Sequence, residues 1–393
     1  MGSLLLVVIF LVFISLGLPD SLLGSGWPTM QIEFNVPSSY AGYVSMTISF
    51  MTIISALISP YIIKKLHTRR IVTISIALTI IGLLGFSFCS KYWMLFLFAI
   101  PYGLGAGAID ASINNYVANN YSGSVMSFLH CFYGIGAVIS PNIMSLALKY
   151  ARWNEGYSWT SYIQIGILIV VLITLPIWTK VKKKDENIEE NKEEKIESEG
   201  IKNSIIRHGV ITTLIAFFAY CSAEATCFLW TSSYFAGTTT GLSNDTIASL
   251  GSLIFGGLML GRLISGFITN KLGDKNMIRI GVSIELVGII LVFLSSIHFV
   301  LPIIGFIIIG IGMGPIYPSI MHMAPLKFGK KYSASIISLQ MASAYIGSTF
   351  MPLLFGILQE KLGIWIMPIF LIIFLIINIS MIELSNYLAK KNN

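Results

Sequence analysis

Residues 103–110 read GLGAGAID and residues 310–317 read GIGMGPIY. Their glycines coincide at Gly103/Gly310, Gly105/Gly312 and Gly107/Gly314, 207 positions apart in a chain of 393. Two more matches follow in chain order at nearly the same spacing. Ser59, Lys65 and Leu66 correspond to Ser265, Lys271 and Leu272 at 206, and Gly136 and Pro141 to Gly347 and Pro352 at 211. A near-constant spacing close to half the chain length predicts two copies of one structural unit. Composition then says which solvent surrounds the copies. The chain is 55% hydrophobic and 11% charged, with a mean hydropathy of +0.80. A soluble domain carries about 25% charged residues. There is too little charge here to cover a globule in water, so the expected fold is an all-α membrane protein built from two helical bundles.

A spanning helix needs about 20 mostly apolar residues. Such stretches fall near 3–24, 41–63, 71–90, 93–118, 124–148, 159–179, 207–235, 246–269, 277–296, 299–322, 332–358 and 363–388. That is twelve spans, six per half. The expected organisation is an N-terminal bundle over 1–179, a charged linker over 180–206 and a C-terminal bundle over 207–393. The linker holds eight acidic residues and a similar number of lysines, with no apolar periodicity, and reads as a solvated segment. The first apolar run, Leu4 to Leu18, lacks a basic lead-in and a small-x-small cleavage pattern, so it reads as a spanning helix. Lysines and arginines concentrate on one set of loops: Lys64, Lys65, Arg69 and Arg70, the linker, Lys271, Lys275 and Arg279, Lys327, Lys330 and Lys331, and Lys390 and Lys391. The opposite loops hold only Lys91, Lys149, Arg152 and Lys361. The excess of positive charge marks the cytoplasmic side, which puts both termini there, in a plasma membrane. The net charge of +7 is spread over short loops and gives no basic face for nucleic acid. The four cysteines lie in apolar stretches, with neither a disulfide framework nor a metal-ligand spacing.

At this point the chain resembles the major facilitator superfamily. The loop after the eighth span runs Gly266-Phe-Ile-Thr-Asn270-Lys271-Leu-Gly273-Asp274-Lys275, close to that superfamily's pattern of Gly, three residues, Asn or Asp, a basic residue, any residue, Gly and a basic residue. The matching loop of the first half is degraded, with Pro60, Lys64 and His67 at the corresponding places. Gly17-Leu-Pro-Asp20 followed by Gly26-Trp27-Pro28, the glycine stretch ending in Asp110 and Asn114, Phe128-Leu-His130, and Ala223-Glu224 followed by Trp230 resemble the fucose-permease and sodium-dependent glucose transporter branch. The resemblance implies a twelve-helix transporter of monosaccharides driven by H+ or Na+, working by alternating access as a monomer without a cofactor. It also implies that Asp20 and Asp110 are its carboxylates of the first and fourth helices.

Four acids stand within spans: Asp20, Asp110, Glu224 and Glu285. A charge at the bilayer centre costs at least ~2.5–3.5 kcal/mol, so such residues normally face a bundle interior, a cavity or an ion path. Asp20 and Glu224 occupy corresponding helices of the two halves, and with Asp110 are the expected coupling or protonation residues. Removal from water disfavours the charged form, which lets a carboxyl bind and release a proton; capping or an interhelical hydrogen bond is the alternative role. Asn114 lies four residues from Asp110, on the same helix face. His130, Trp230, Tyr317 and Gln340 are the other expected substrate contacts, through hydrogen bonding or stacking on a sugar; core packing is the alternative for each. Gly266, Asn270, Lys271 and Gly273, with Arg262 about one turn inside the same helix end, are the expected cytoplasmic gate. Arg262 should pair with an acid or cap carbonyls; Glu285 is a possible partner, and because the resemblance implies a peripheral ninth span Glu285 reads as structural.

Cation-coupled symport of a small polar solute is the leading reading. A proton-coupled exporter is the alternative. Its usual fifth-span element of Gly-x-x-x-Gly-Pro-x-x-Gly-Gly is only partly kept in Gly134-Ile-Gly136-Ala-Val-Ile-Ser140-Pro141-Asn142. A non-transporting sensor would need a signalling domain. An enzyme would need a nucleophile–base pair, a metal cluster or a nucleotide loop, and the sequence shows none of these.

Overall fold

The structure is a computed structural model that describes residues 2–120, 123–185 and 201–390. Among these the regular structure is entirely helical. α1 (Gly2–Asp20) and α2 (Leu22–Phe34) make the first pass, α3 (Tyr40–Ser87) the second and third, and α4 (Met94–Asn120), α5 (Gly123–Tyr150) and α6 (Trp153–Asp185) the next three. α7 (Ile201–Ile205) is a short turn within the expected linker, of which residues 186–200 lie outside the described residues. α8 (Val210–Thr238) is the seventh pass. α9 (Asn244–Leu250) with α10 (Ser252–Leu272) is the eighth, and α11 (Asp274–Phe293) the ninth. α12 (Val300–Met313) with α13 (Ile316–Phe328), α14 (Lys330–Leu362) and α15 (Met367–Ala389) complete twelve.

Eleven helical segments are long and apolar enough to cross a bilayer, and a shorter apolar helix covers Tyr40–Ala56. That shorter piece is the second pass. A Cβ placed on Gly103 would lie 2.4 Å from the Ile48 carbonyl oxygen, and one on Gly105 would lie 2.5 Å from that of Ser75. Ile48 and Ser75 would stand ~40 Å apart along a straight helix, yet both touch neighbouring residues of α4. The two parts of α3 therefore return alongside each other as two antiparallel passes.

The described helices gather into two compact units. The first holds the chain up to the linker plus Leu242–Ser252; the second holds the chain from the linker to Gly241 and from Leu253 onward. Large apolar side chains face outward in both, among them Ile81, Leu97, Ile173, Ile290, Ile373 and Ile376. An apolar exterior suits lipid, and lipid supplies little hydrophobic drive for helices to associate. Close backbone approach through small residues supplies the packing instead, and the units repeat it. Gly103 packs on Ile48 O and Gly310 on Ile254 O; Gly105 packs on Ser75 O and Gly312 on Gly281 O; Gly136 packs on Ile14 O and Gly347 on Phe218 O. Each partner pair keeps a separation of 204 to 206 residues, so the duplication read from the glycines holds in the contacts they make.

Candidate functional site

In the first unit, α1 ends and α2 begins around Ser21, with Pro19 in the last turn of α1. Proline lacks an N–H and so cannot bond the carbonyl four residues back. The freed Ser15 carbonyl accepts a bond from Gln164 Nε2 of α6, while Ser15 Oγ donates to Gln164 Oε1. Pro141 likewise frees the Ala137 carbonyl, which accepts Ser21 Oγ at 2.8 Å. The break in the first span is thus pinned from two sides, and Asp20 sits at it. Gly17 and Gly136 let α1 and α5 approach until a Cβ on Gly17 would lie 2.1 Å from Tyr133 O. This contact carries the Tyr133 phenol to Asp20, where its hydroxyl donates to Oδ2 at 2.6 Å. On the other side Gly82 leaves room for Tyr102, whose hydroxyl donates to Asp20 Oδ1 at 2.9 Å. Each oxygen of Asp20 takes a phenol, and the residue is exposed to solvent. His130, one turn before Tyr133 on α5, sets its ring edge-on to Phe13 at 5.8 Å, so it faces α1 as well.

Asp110 lies on α4 and is partly buried; Asn114 Nδ2 donates to its Oδ1 at 2.8 Å. The Asn114 Oδ1 is buried and has no partner among the described residues. The shared helix face expected from the four-residue spacing is thus a direct bond, and Asp110 also lies within electrostatic reach of Asp20.

In the second unit Glu224 accepts from Tyr220 Oη at 2.8 Å and from Arg262 Nη2 at 3.2 Å. The side chains of the pair are 17% and 14% exposed for arginine and glutamate. The acid that meets Arg262 is therefore Glu224 and not Glu285. Arg262 also stands ten residues, ~15 Å, before the end of α10 at Leu272, deeper than the single turn expected from sequence. Trp230 is fully buried, donating Nε1–H to Pro352 O at 2.9 Å. Tyr317 is partly exposed, with its ring beside Phe217 and Tyr220. Gln340 is 0% exposed, and neither of its amide atoms has a partner among the described residues. At the loop, Gly273 has φ +76° and starts α11; a left-handed backbone there favours glycine. Asp274 in that first turn bonds His322 Nδ1 at 2.7 Å. Gly266, Asn270 and Lys271 are exposed.

Three tyrosines that hold the acids, Tyr102, Tyr133 and Tyr220, were not singled out from sequence. For two a signal existed: Tyr220 stands one helical turn before Glu224, and Tyr133 shares the α5 face of Gly136 and Ala137. Tyr102 carries none, because only the α3–α4 crossing aims it.

A family model described as Major Facilitator Superfamily matches residues 6–352. The chain is 22% identical to the glucose/mannose transporter GlcP of Bacillus subtilis, over 76% of this chain and 74% of that protein. It is also 22% identical to the sodium-dependent glucose transporter 1 of Xenopus laevis, over 74% and 63%. Among solved structures it superposes on the xylose transporter XylE of E. coli with a TM-score of 0.71 at 10% identity, covering 95% of this chain and 98% of that one. A peptide transporter in complex with sulfate gives 0.74 at 12% identity, covering 98% and 95%. Neighbours with such different names show a shared fold and do not select a solute.

Proposed function

The chain belongs to the Major Facilitator Superfamily, a transporter rather than an enzyme, and on that footing we propose that it moves a monosaccharide by proton- or sodium-coupled symport with alternating access. The observation that carries this reading is the Asp20 site. An acid stands at a break in the first span and, among the described residues, is held through two neutral phenol donors and by no cation. Such a carboxylate keeps its charge available for a cation, whereas Glu224 is matched by Arg262 within its own unit. Asp20, coupled electrostatically to Asp110, is the group that takes up and releases the coupling cation. Glu224 with Arg262 is an ion pair that the transport movement makes or breaks. In the first unit Asn114, whose amide oxygen has no partner among the described residues, and His130, and in the second unit Tyr317 and Gln340, are donors and acceptors of the kind that sugar hydroxyls need. The sugar assignment draws support from the names of the two glucose-transporting relatives. The loop with Gly273 and the linker lie on the cytoplasmic side of the plasma membrane in this reading, with both termini.

The test is uptake of radiolabelled monosaccharides into proteoliposomes under an imposed proton or sodium gradient. Accumulation of one sugar that collapses with the gradient supports symport and names solute and cation. Absence of any sugar uptake removes the sugar assignment, and export of the solute against a proton gradient would replace symport by antiport.

A further inference from the structure

Glu285 of α11 is 3% exposed, and no described residue hydrogen-bonds or ion-pairs with its carboxyl group. Its backbone is pressed against the glycine repeat: a Cβ on Gly312 would lie 2.4 Å from Glu285 N and 2.8 Å from its Cα. The first unit contains the same junction. There a Cβ on Gly105 would lie 2.9 Å from Thr79 N and 2.5 Å from Thr79 Oγ1. Thr79 is the repeat counterpart of Glu285, as Ser75 is of Gly281. Thr79 is equally buried, and its hydroxyl donates to Ser75 O of its own helix at 2.9 Å. The junction therefore asks only for a small, self-satisfied hydroxyl, and packing gives no reason for a carboxylic acid.

The charged groups around Glu285 offer it no counter-ion. α12 carries no titratable side chain. On α13, His322 is engaged by Asp274 and Lys327 by Ser385, and on α15 Glu383 is held by both donors of Arg279. The groups it senses electrostatically are Cys227 and Glu224 of α8, and Glu224 is itself bound to Arg262. A buried carboxylate without a partner is far costlier than its neutral acid, so such a group holds a proton instead.

We propose that Glu285 is a second proton-binding site of this transporter, in the unit that does not hold Asp20, and that it carries its proton while Arg262 is bound to Glu224. The step is a simple one: a proton adds to or leaves one carboxyl oxygen, and the site changes between neutral and −1. This deepens the symport reading and rests on it for its role in transport, though the bound proton can be tested without it.

Dicyclohexylcarbodiimide attacks protonated carboxyls in apolar surroundings, and peptide mapping by mass spectrometry locates the adduct. In the full-length reconstituted protein at neutral pH, an adduct on Glu285 that fades at alkaline pH is expected. No adduct on Glu285 in the folded protein would overturn the proposal, with recovery of the unmodified Glu285 peptide from the same digest as the control. Glu285→Gln fixes the neutral form, and Glu285→Thr restores the residue of the first unit, which that junction is known to accept. In either variant, accumulation of D-glucose against its gradient should be lost while glucose exchange at equal concentrations persists. Accumulation at the wild-type level, with the wild-type pH profile, overturns the coupling role. If the wild-type protein accumulates no sugar at all, the symport reading fails, and the carbodiimide result alone decides whether Glu285 holds a proton.

Discussion

Asp20 and Glu224 stand at matching places in the two halves, and their neighbours give them different work. Among the described residues Asp20 has two phenols and no counter-charge, so Asp20→Asn is expected to abolish gradient-driven accumulation while exchange at equal solute concentrations continues; vesicle uptake with and without a gradient checks this. Hydrogen bonds to a charged group contribute about 1.5–3 kcal/mol. Removing one by Tyr133→Phe should therefore strengthen the carboxylate's hold on the cation, lowering the cation concentration for half-maximal uptake by about tenfold or more. Glu224 is matched by Arg262 and both are only partly buried, so removing one partner leaves a charge unpaired at a cost below the ~3–5 kcal/mol of a fully buried pair. Arg262→Met should lower thermal stability in detergent by that order, and adding Glu224→Gln should return most of it. A double variant as unstable as the single one would mean that Arg262 acts through some other contact. Asp20 and Glu224 were legible as rare intramembrane acids from composition alone. Their partners were not: Tyr102 and Tyr133 lie 82 and 113 residues from Asp20, and Arg262 lies 38 from Glu224.

At the level of helices, glycines decide how near two backbones come, and that distance decides which side chains meet. Gly17 and Gly136 set the α1–α5 contact that aims Tyr133 at Asp20. Gly17→Ala would push a methyl into the Tyr133 carbonyl, backbone against backbone, where neither side gives easily. Overpacking of this kind costs about 1–3 kcal/mol, so the melting temperature should fall. Gly166→Ala is the control. Nothing lies within 4 Å of the methyl it adds, and alanine favours a helix over glycine by ~1 kcal/mol, so its melting temperature should hold or rise. The prolines act through the bonds they omit. Pro19 and Pro141 free the Ser15 and Ala137 carbonyls for Gln164 and Ser21, partners that nothing in the local sequence names. Spacing marked these glycines as a repeat; it could not say which carbonyl each would face.

For the molecule as a whole, the duplication and the apolar composition lead to twelve passes, and the lopsided basic loops predict both termini on the cytoplasmic side. Reporter fusions or cysteine accessibility at either terminus, at Lys271 and at Lys149 check this, with Lys149 alone expected outside. Much of that plan is one-dimensional information. Bilayer thickness fixes how long an apolar run must be, duplication copies a spacing, and loop charge is a count along the chain, so the sequence by itself determined the membrane class, the twelve passes, the twofold repeat and the rare acids. The phenols on Asp20, the choice of Glu224 over Glu285 as the partner of Arg262, and the unpartnered burial of Glu285 were decided only in the tertiary structure. Each depends on where two helices cross and on the direction a side chain takes at that crossing, quantities that arise from packing between residues far apart in the chain and have no signature in local composition.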